Sequence, residues 1–297
     1  MFDKRLTRSD RVFHFVNSIL LFIFFAVVIV PILNVIASSV SSPAAVISRR
    51  VSIFPVGFNL DAYTYIFRSQ QLITGFLNTV FYTVVGTAIN IAMSVMAAYP
   101  IARRELKGRK IIIAFMFFTM LFSGGMIPTF LVVRDLGLFD TRLAMLIPPA
   151  MSVWNVMIMR SFFQNTIPTE LYESAAMDGC SEIKLLIRIV LPLSGPVIAV
   201  LTLFYAIGHW NAFFSGLIYL RSPELLPLQV VLRNILTNAA SLAELVEHIP
   251  AADAGRLALV EVLRYAIITA GTLPMALLYP AIQKHFTKGI MIGSLKG

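Results

Sequence analysis

The amino-acid sequence predicts an all-α integral membrane protein that crosses the bilayer six times. Hydrophobic residues make up 58% of its 297 positions and charged residues only 13%, a balance typical of membrane proteins. Six runs also contain no Lys, Arg, Asp or Glu, and each reaches or nearly reaches the roughly 20 residues that a helical span requires. These runs are Val12–Ser48, Ser69–Ala102, Ile111–Val133, Leu143–Met159, Ile189–Leu220 and Tyr265–Gln283.

One helix in each run predicts a single transmembrane domain over residues 1–297. Its spans fall at about residues 12–37, 73–100, 111–133, 142–160, 193–219 and 262–283. The first span follows four basic residues, as a signal peptide would. It is too long for one, and five more spans follow, so we interpret it as a retained anchor. The fourth run is the shortest, with 17 residues, and its flanking Arg142 and Arg160 can extend outward to the interface.

The basic residues predict the orientation. With the N-terminus in the cytoplasm, 15 of the 24 Lys and Arg residues fall in cytoplasmic segments, as the positive-inside rule requires. Both termini and the segment around residues 167–192 are then cytoplasmic, and the net charge of +9 reflects topology. No basic face with interleaved aromatics on a soluble domain is present, so no nucleic acid is expected as a partner.

Two outer loops are long, at residues 38–70 and 221–261. In the first, Phe58, Tyr63 and Phe67 predict an interfacial amphipathic helix. The second far exceeds the roughly two to eight residues that a tight helix–helix link needs. It is therefore expected to hold short helices and to offer a surface to a partner.

Several kinds of chemistry are excluded by what the chain contains. Cys180 is the only cysteine, which rules out an internal disulfide and a cysteine-based metal cluster. The four histidines are far apart in sequence and divided between the two sides, so no metal site is expected. The sequence has no G-x-x-x-x-G-K-[ST] phosphate-binding loop. The chain alone cannot hydrolyse ATP, and no cofactor is expected to bind to it.

The most informative segment is the polar loop 167–192, which lies between long apolar runs. Pro168 suits a first helical turn with Thr169 as a nearby cap, and Asp178-Gly179 ends that helix. Ser181 can cap a second helix. Its predicted apolar stripe consists of Ile183, Leu186, Ile187 and Val190. On pattern alone, an ordinary polar loop with a surface helix fits equally well.

The spacing within this loop resembles the cytoplasmic EAA loop of bacterial ABC-importer permeases. Glu173-Ser174-Ala175, Gly179, Ile189 and Leu191-Pro192 stand at the family's positions, with only Ser174 departing from it. The resemblance covers essentially the whole chain and is strongest to the carbohydrate (maltose-type) branch, in the subgroup for complex and uronic-acid-containing oligosaccharides. The supporting segments are Phe122–Thr141, Trp210-Asn211 and Lys288–Gly297.

This resemblance implies the type I ABC-importer permease fold, with a coupling helix in the cytoplasmic loop, in the bacterial inner membrane. It implies a homologous second permease chain, two ATPase subunits on which ATP and Mg act, an extracytoplasmic solute-binding protein and an oligosaccharide substrate. The residues expected to dock the ATPase are Glu170, Glu173, Ser174, Ala175, Met177, Asp178 and Gly179. Glu173 is expected to carry the charged contact, Ala175 to allow close approach and Gly179 to set the angle between the two helices.

The predicted sugar contacts rest on residue type. Aromatic, amide and hydroxyl groups within spans suit a sugar pathway, although Asn in spans more often bonds to neighbouring helices. The pathway candidates are Asn78, Asn90, Asn155, His209, Trp210 and Asn211. The second outer loop resembles the position from which permeases of this family reach the binding protein, and the contact residues that this resemblance implies are Asn238, Glu244, Glu247 and His248.

Two other classes of membrane protein compete with the importer. An ATP-independent secondary transporter or channel usually places ionisable groups near the bilayer midplane. The charge-free runs contain only His14 and His209, and neither is central. A membrane enzyme would need clustered acids, bases or metal ligands. Both alternatives leave the 167–192 loop unexplained.

Overall fold

A computed structural model of the chain describes residues 8–237 and 259–277. All regular secondary structure in these residues is helical, and no strand occurs among them. The chain divides into two compact units, of which the first comprises the described residues 8–69, 234–237 and 259–272. The second comprises residues 70–233 and 273–277.

The first unit begins with the longest exposed apolar surface in the described part of the chain. Helix α1 (Arg8–Ser39) is followed by α2 (Pro43–Ile47) and α3 (Asp61–Arg68). The apolar side chains of α1 are exposed along most of its length, so this helix needs lipid or another chain to cover it. In α3, Ala62 and Ile66 are buried and Phe67 is exposed. A short helix is thus present in the loop 38–70 as predicted, although Phe58 lies before its start, and its interfacial placement stays a prediction.

The second unit is built around one long helix, and its remaining elements follow in chain order. They are α4 (Gln70–Ala102), α5 (Arg109–Leu121), α6 (Met126–Asp135), α7 (Leu143–Leu146), α8 (Val153–Thr166), α9 (Thr169–Met177), α10 (Glu182–Leu185), a π-helical turn (Leu186–Val190), α11 (Leu191–Leu193), α12 (Gly195–Trp210), α13 (Phe213–Tyr219) and a 3-10 turn (Pro223–Leu225). Two helices extend across the division between the units, α14 (Leu228–Thr237) and α15 (Leu259–Leu277).

The core of the second unit lies where α4, α8 and α12 pack together. Ala98 of α4, Val156 and Met159 of α8, and Leu201 of α12 are fully buried in it. The same cluster contains Val190 of the π-helical turn. The loop 167–192 is therefore packed into the core of the bundle at its C-terminal end.

Three helices are long and apolar enough to cross a membrane, and up to five spans result if each of two bent helix pairs counts as one. The single helices are α1, α4 and α15, which match three of the predicted spans. The bent pairs are α5 with α6, at 111°, and the helix Glu182–Leu193 with α12, at 81°. The described residues thus support three to five candidate spans, and the count of six stays a prediction.

Two predicted spans are interrupted for identifiable reasons. The predicted span at 111–133 breaks at Gly125, whose φ of 85° and ψ of 176° lie in a region that only glycine adopts readily. The predicted span at 142–160 breaks after α7, where Pro148 and Pro149 lack N–H donors and restrict the backbone before them. Helix α8 then has 14 residues, or about 21 Å, which is shorter than the roughly 30 Å hydrocarbon core.

Candidate functional site

The loop 167–192 forms two short helices joined by a tight turn, as predicted. Gly179 adopts a φ of +68°, and its N–H donates to the carbonyl of Ala176 at 3.1 Å. The next N–H, of Cys180, donates to the carbonyl of Ala175 at 2.9 Å. These two bonds make a Schellman motif, in which a left-handed residue closes the helix end. Gly179 therefore fixes the direction in which the chain leaves α9.

The caps of these helices agree with the prediction at one end and differ at the other. Ser181 caps α10, since its side-chain oxygen accepts from the N–H of Lys184 at 3.4 Å. The predicted cap Thr169 is instead the first residue of α9, and extended Pro168 occupies the cap position without a side-chain bond. Proline also disfavours a helical conformation for the preceding Ile167, which is extended, so α9 cannot begin before Pro168.

The predicted docking residues are exposed, with one exception. Met177, at the tip of α9, is 90% exposed, and Glu170, Glu173, Ser174, Asp178 and Gly179 are also exposed. Ala175 is only 6% exposed and belongs to the core cluster of the second unit. The close approach that the small Ala175 permits is thus to this chain's own helices. Helix α9 has one face in the bundle and the other free.

The predicted apolar stripe of the second helix is confirmed for Leu186 and Val190, which lie against or within the core cluster, and is wrong for Ile183 and Ile187. Leu185 and Val190 are buried, whereas Ile183 and Ile187 are 72% and 57% exposed. The prediction assumed 3.6 residues per turn, but residues 186–190 form a π-helix. Its i→i+5 bonding brings side chains five residues apart onto one face. This change in periodicity leaves the two isoleucines exposed.

The end of α4 is joined to this loop by a group of polar side chains. Arg103 follows α4 directly, and its Nη2 lies 3.2 Å from Oε1 of Glu182. The Cζ atom of Arg103 lies 4.3 Å from the centre of the Tyr172 ring. The hydroxyl of Tyr99, in α4, donates to Oε2 of Glu182 at 2.5 Å. No local sequence pattern relates Arg103 to Glu182, which lies 79 positions away, so this group of side chains was not predicted.

Helix α8 fixes the same end of α4. Arg160 donates from Nε to the carbonyl of Ile101 at 3.2 Å, and Gln164 donates from Nε2 to the carbonyl of Ala102 at 2.9 Å. These bonds satisfy carbonyls that the end of a helix leaves without partners. The end of α4 is therefore an anchored position.

A cavity of about 610 Å³ opens where α4 ends, between α8 and α9. Arg103, Glu105, Gln164, Tyr172 and Glu173 are among its lining residues. Partial burial raises the pKa of the Tyr172 phenol. Charged groups of both signs thus surround an open space beside the exposed face of α9.

A second cavity, of about 320 Å³, lies at the C-terminal end of α12. Asn90, His209 and Asn211 line it together with the aromatic rings of Phe204 and Phe214. His209 Nε2 is 2.6 Å from Oδ1 of Asn90, and the amide of Asn90 donates to the carbonyl of Pro149. His209 is therefore a bonded interior histidine. Amides beside aromatic rings are a surface that suits a polar organic ligand.

The remaining pathway candidates lie elsewhere. The Asn78 amide donates to the carbonyls of Glu224 and Leu226 at 2.7 and 3.2 Å, so it holds the start of the second outer loop. Asn155 is buried in α8, and Trp210 is buried with its ring 6.0 Å edge-to-face from Phe76. Of the candidates, the structure brings together Asn90, His209 and Asn211.

Some predictions fall on residues that the structure does not describe. Asn238, Glu244, Glu247 and His248 lie outside the described residues, as does the C-terminal segment after Gln283. Across residues 8–237 and 259–277, no three His, Cys, Asp or Glu side chains come together in a way that could hold a metal ion.

Comparison with known proteins gives matches along nearly the whole chain. The family described as the binding-protein-dependent transport system inner membrane component matches residues 4–292. Protein LplC of Bacillus subtilis is 43% identical over 98% of this chain and 97% of its own length. The polygalacturonan/rhamnogalacturonan transport system permease protein YtcP of the same organism is 40% identical, over 97% of this chain and 100% of its own length.

A solved structure resembles the fold equally broadly. It is the crystal structure of a bacterial ABC transporter involved in the import of the acidic polysaccharide alginate. One of its chains is 35% identical, with a TM-score of 0.84, and the match covers 94% of this chain and 98% of that one.

Proposed function

Because the chain belongs to the family of binding-protein-dependent transport system inner membrane components, we propose that it is a permease subunit of an ATP-driven oligosaccharide importer. It forms half of the translocation pathway, alongside a homologous second permease. Two ATPase subunits bind on the cytoplasmic side, where ATP and Mg act on them, and an extracytoplasmic solute-binding protein delivers the sugar. The names of YtcP and of the alginate importer favour uronic-acid-containing oligosaccharides as substrates.

The observation that carries this proposal is the two-sided character of α9. Its buried side, at Ala175, is part of the core of the second unit, while Met177 is 90% exposed at its tip. Ile183 and Ile187 add two more exposed apolar side chains on the second helix of the same loop. A largely exposed methionine and two isoleucines on a cytoplasmic loop are typical of a surface that a soluble partner covers.

Glu170 and Glu173 supply the charges of the docking surface. Both carboxylates are exposed, and neither bonds to another residue in the described part of the chain. A basic group of the ATPase can therefore pair with them without breaking a contact within this subunit. We define the coupling loop as residues 167–192. Closure of the ATPase pair moves this loop, and the loop moves the spans, through a rigid element with two arrangements.

Co-purification tests the docking surface. The chain is co-expressed with the second permease and the ATPase, as wild type, as Glu173→Arg and as Glu224→Arg. The control makes the same charge reversal at an exposed residue of the second outer loop. We expect only Glu173→Arg to lose the ATPase, because a like charge then faces the ATPase's basic group. Full retention of the ATPase by Glu173→Arg would contradict the assignment of this surface.

The sugar pathway is proposed to include the 320 Å³ cavity. Its size lies at the lower end of the range of about 300–1,000 Å³ for small-molecule sites. Asn211 is exposed and bonds through its amide nitrogen to the carbonyl of Ile207 at 3.0 Å, while its side-chain oxygen has no partner among the described residues. A sugar hydroxyl can donate to this oxygen, with the ring against Phe204 or Phe214.

Substitution of Asn211 tests this cavity. We expect Asn211→Ala to lower uptake by proteoliposomes, while ATPase co-purification stays as in the wild type. Gln70→Ala is the matched control, since it removes another exposed side-chain amide, at the start of α4. Unchanged uptake by Asn211→Ala would remove this residue from the pathway without affecting the docking proposal.

The runner-up function, an ATP-independent transporter or channel, is not favoured. The family matched over residues 4–292 is a component of binding-protein-dependent systems. The exposed apolar tip of α9 also has no role in a protein that works without a soluble cytoplasmic partner. A wild-type chain that binds no ATPase would reopen this alternative.

A further inference from the structure

We infer that Arg103 fixes the coupling loop to the cytoplasmic end of α4, so that a displacement of α9 and α10 moves α4 as well as α12. This inference rests on the proposed function and adds a second route for the motion. The chain itself connects the coupling loop to α12 through Leu191–Leu193. Arg103 provides a second connection, from the end of α4 to α9 and α10.

Arg103 makes two contacts with the coupling loop, besides an ion pair with Glu105 in its own segment, where its Nε lies 3.4 Å from Oε2. Its guanidinium stacks on Tyr172 in α9, at 4.3 Å from the ring centre, and pairs with Glu182 in the first turn of α10 at 3.2 Å. One side chain thus holds a residue on either side of the Gly179 turn. The planar guanidinium suits this double role, because its face binds an aromatic ring while its edge donates hydrogen bonds.

Arg103 is held at the end of α4 and is expected to move with it. It is the first residue after Ala102, whose carbonyl accepts from Gln164, and the Ile101 carbonyl accepts from Arg160. Tyr99, one turn earlier, donates to the same Glu182 carboxylate at 2.5 Å. Residues 99 and 103 therefore hold Glu182 from the same end of the helix.

Burial decides whether this contact can matter. An exposed ion pair alone contributes little, and Glu182 is 62% exposed. The Arg103 side chain is only 19% exposed, however, and it makes the ring contact as well as the ion pair. Linked contacts of this kind are worth more than one pair considered alone.

The coupling loop does not depend on Arg103 for its fold. Ala175, Leu185 and Val190 lie in the core cluster, and these apolar contacts remain when the guanidinium is removed. We therefore assign Arg103 as a positioning residue. Its loss should loosen the link to α4 and leave the ATPase-docking face in place.

The test compares Arg103→Gln with Lys107→Gln in the assembled importer. Lys107 is exposed in the same cytoplasmic segment and has no bond to another described residue, so its substitution removes one positive charge and no contact. For Arg103→Gln we expect the ATPase to stay bound and uptake to fall about tenfold, within the range usual for coupling between two sites. ATP hydrolysis continues, so more ATP is consumed per sugar. Arg103→Lys should restore part of the uptake, because it keeps the charge and loses the planar stack.

Cys180 gives a readout that does not depend on transport. It is the only cysteine of the chain, half-buried at the Gly179 turn. Its rate of labelling by a maleimide reports how freely the coupling loop moves. We expect labelling to become several-fold faster in Arg103→Gln and to be unchanged in Lys107→Gln. If Arg103→Gln does not accumulate in the membrane, Glu182→Gln removes the same ion pair and should show the same two changes.

The outcomes separate this inference from the proposed function. Failure of the wild-type chain to bind any ATPase would refute the importer assignment itself. ATPase retention with uptake and Cys180 labelling equal in Arg103→Gln and Lys107→Gln would overturn the role of Arg103 alone. Loss of the ATPase from Arg103→Gln would also overturn it, because Arg103 would then belong to the docking surface.

Discussion

Substitution of Gly179 isolates the contribution of the turn between α9 and α10. Its φ is +68°, and an added Cβ would meet no atom within 4 Å. Any effect of Gly179→Ala therefore comes from backbone conformation and not from a steric clash. A left-handed conformation costs a residue with a Cβ about 1–2 kcal/mol. Asparagine tolerates this conformation better than alanine. Gly179→Asn should therefore destabilise the turn less than Gly179→Ala.

Proline at the same position is more severe. Its ring locks φ near −65°, and it removes the N–H that donates to Ala176 at 3.1 Å, which costs about 3 kcal/mol or more. Because each 1.4 kcal/mol corresponds to about a tenfold change in an equilibrium, Gly179→Ala should deplete the native turn several-fold. Gly179→Pro should abolish it. The angle between the two helices would then no longer be fixed.

Two measurements are needed, uptake by proteoliposomes and the amount of chain inserted in the membrane. We expect Gly179→Pro to insert normally and to lose uptake, with Ala and Asn between it and the wild type. Gly108→Ala is the matched control, because Gly108 has a φ of +79° and also has open space around it, but lies outside the coupling loop. Normal uptake by Gly179→Pro would refute the role of the turn. A loss of uptake in Gly108→Ala as large as that in Gly179→Ala would refute it as well.

Two further substitutions test the packing and the outer surface of the second unit. At Gly86, a Cβ would come within 2.4 Å of the His209 ring, so Gly86→Ala should lower the free energy of unfolding by about 1–3 kcal/mol. Thermal unfolding measures this, with Gly124→Ala as control, where the Cβ meets its nearest neighbour at an ordinary 3.7 Å. Asp140 accepts hydrogen bonds from the N–H and hydroxyl of Ser222, which lower the pKa of its carboxyl. The stabilisation of the folded chain by Asp140 is thus present above the unfolded pKa and lost as the pH falls through the lower folded pKa. Asp140→Asn should therefore make the free energy of unfolding less dependent on pH on the acid side.

The coupling loop shows what a sequence pattern can and cannot predict. The end of α9 and the start of α10 were predictable because Gly179 and Ser181 act on their own neighbours in the chain. The buried face of the second helix was predictable only in part, because its π-helical turn changes the period that a hydrophobic stripe follows. The buried side of Ala175 was missed for a related reason, since burial depends on which helices lie behind the loop.

For the spans too, features that depend on local composition were predictable and features that depend on distant contacts were not. Charge-free runs predicted α1, α4 and α15 well, because length and composition alone decide whether a helix can cross a bilayer. They did not predict the 111° bend at Gly125, because apolar runs continue across it. The role of Asn78 was equally out of reach, since its partners lie in the second outer loop, 146 and 148 residues away.

The division of the coupling loop into a packed side and a free side also explains how it can transmit a displacement. A loop attached only through the chain would absorb a displacement in its own backbone. Here Ala175, Leu185 and Val190 share one core with α4, α8 and α12, while Met177, Ile183 and Ile187 remain exposed for a partner. Close-packed interiors deform little and pass strain on. A displacement applied at the exposed side is therefore passed to the helices behind it through this packing, to which the Arg103 contacts add a polar link with α4.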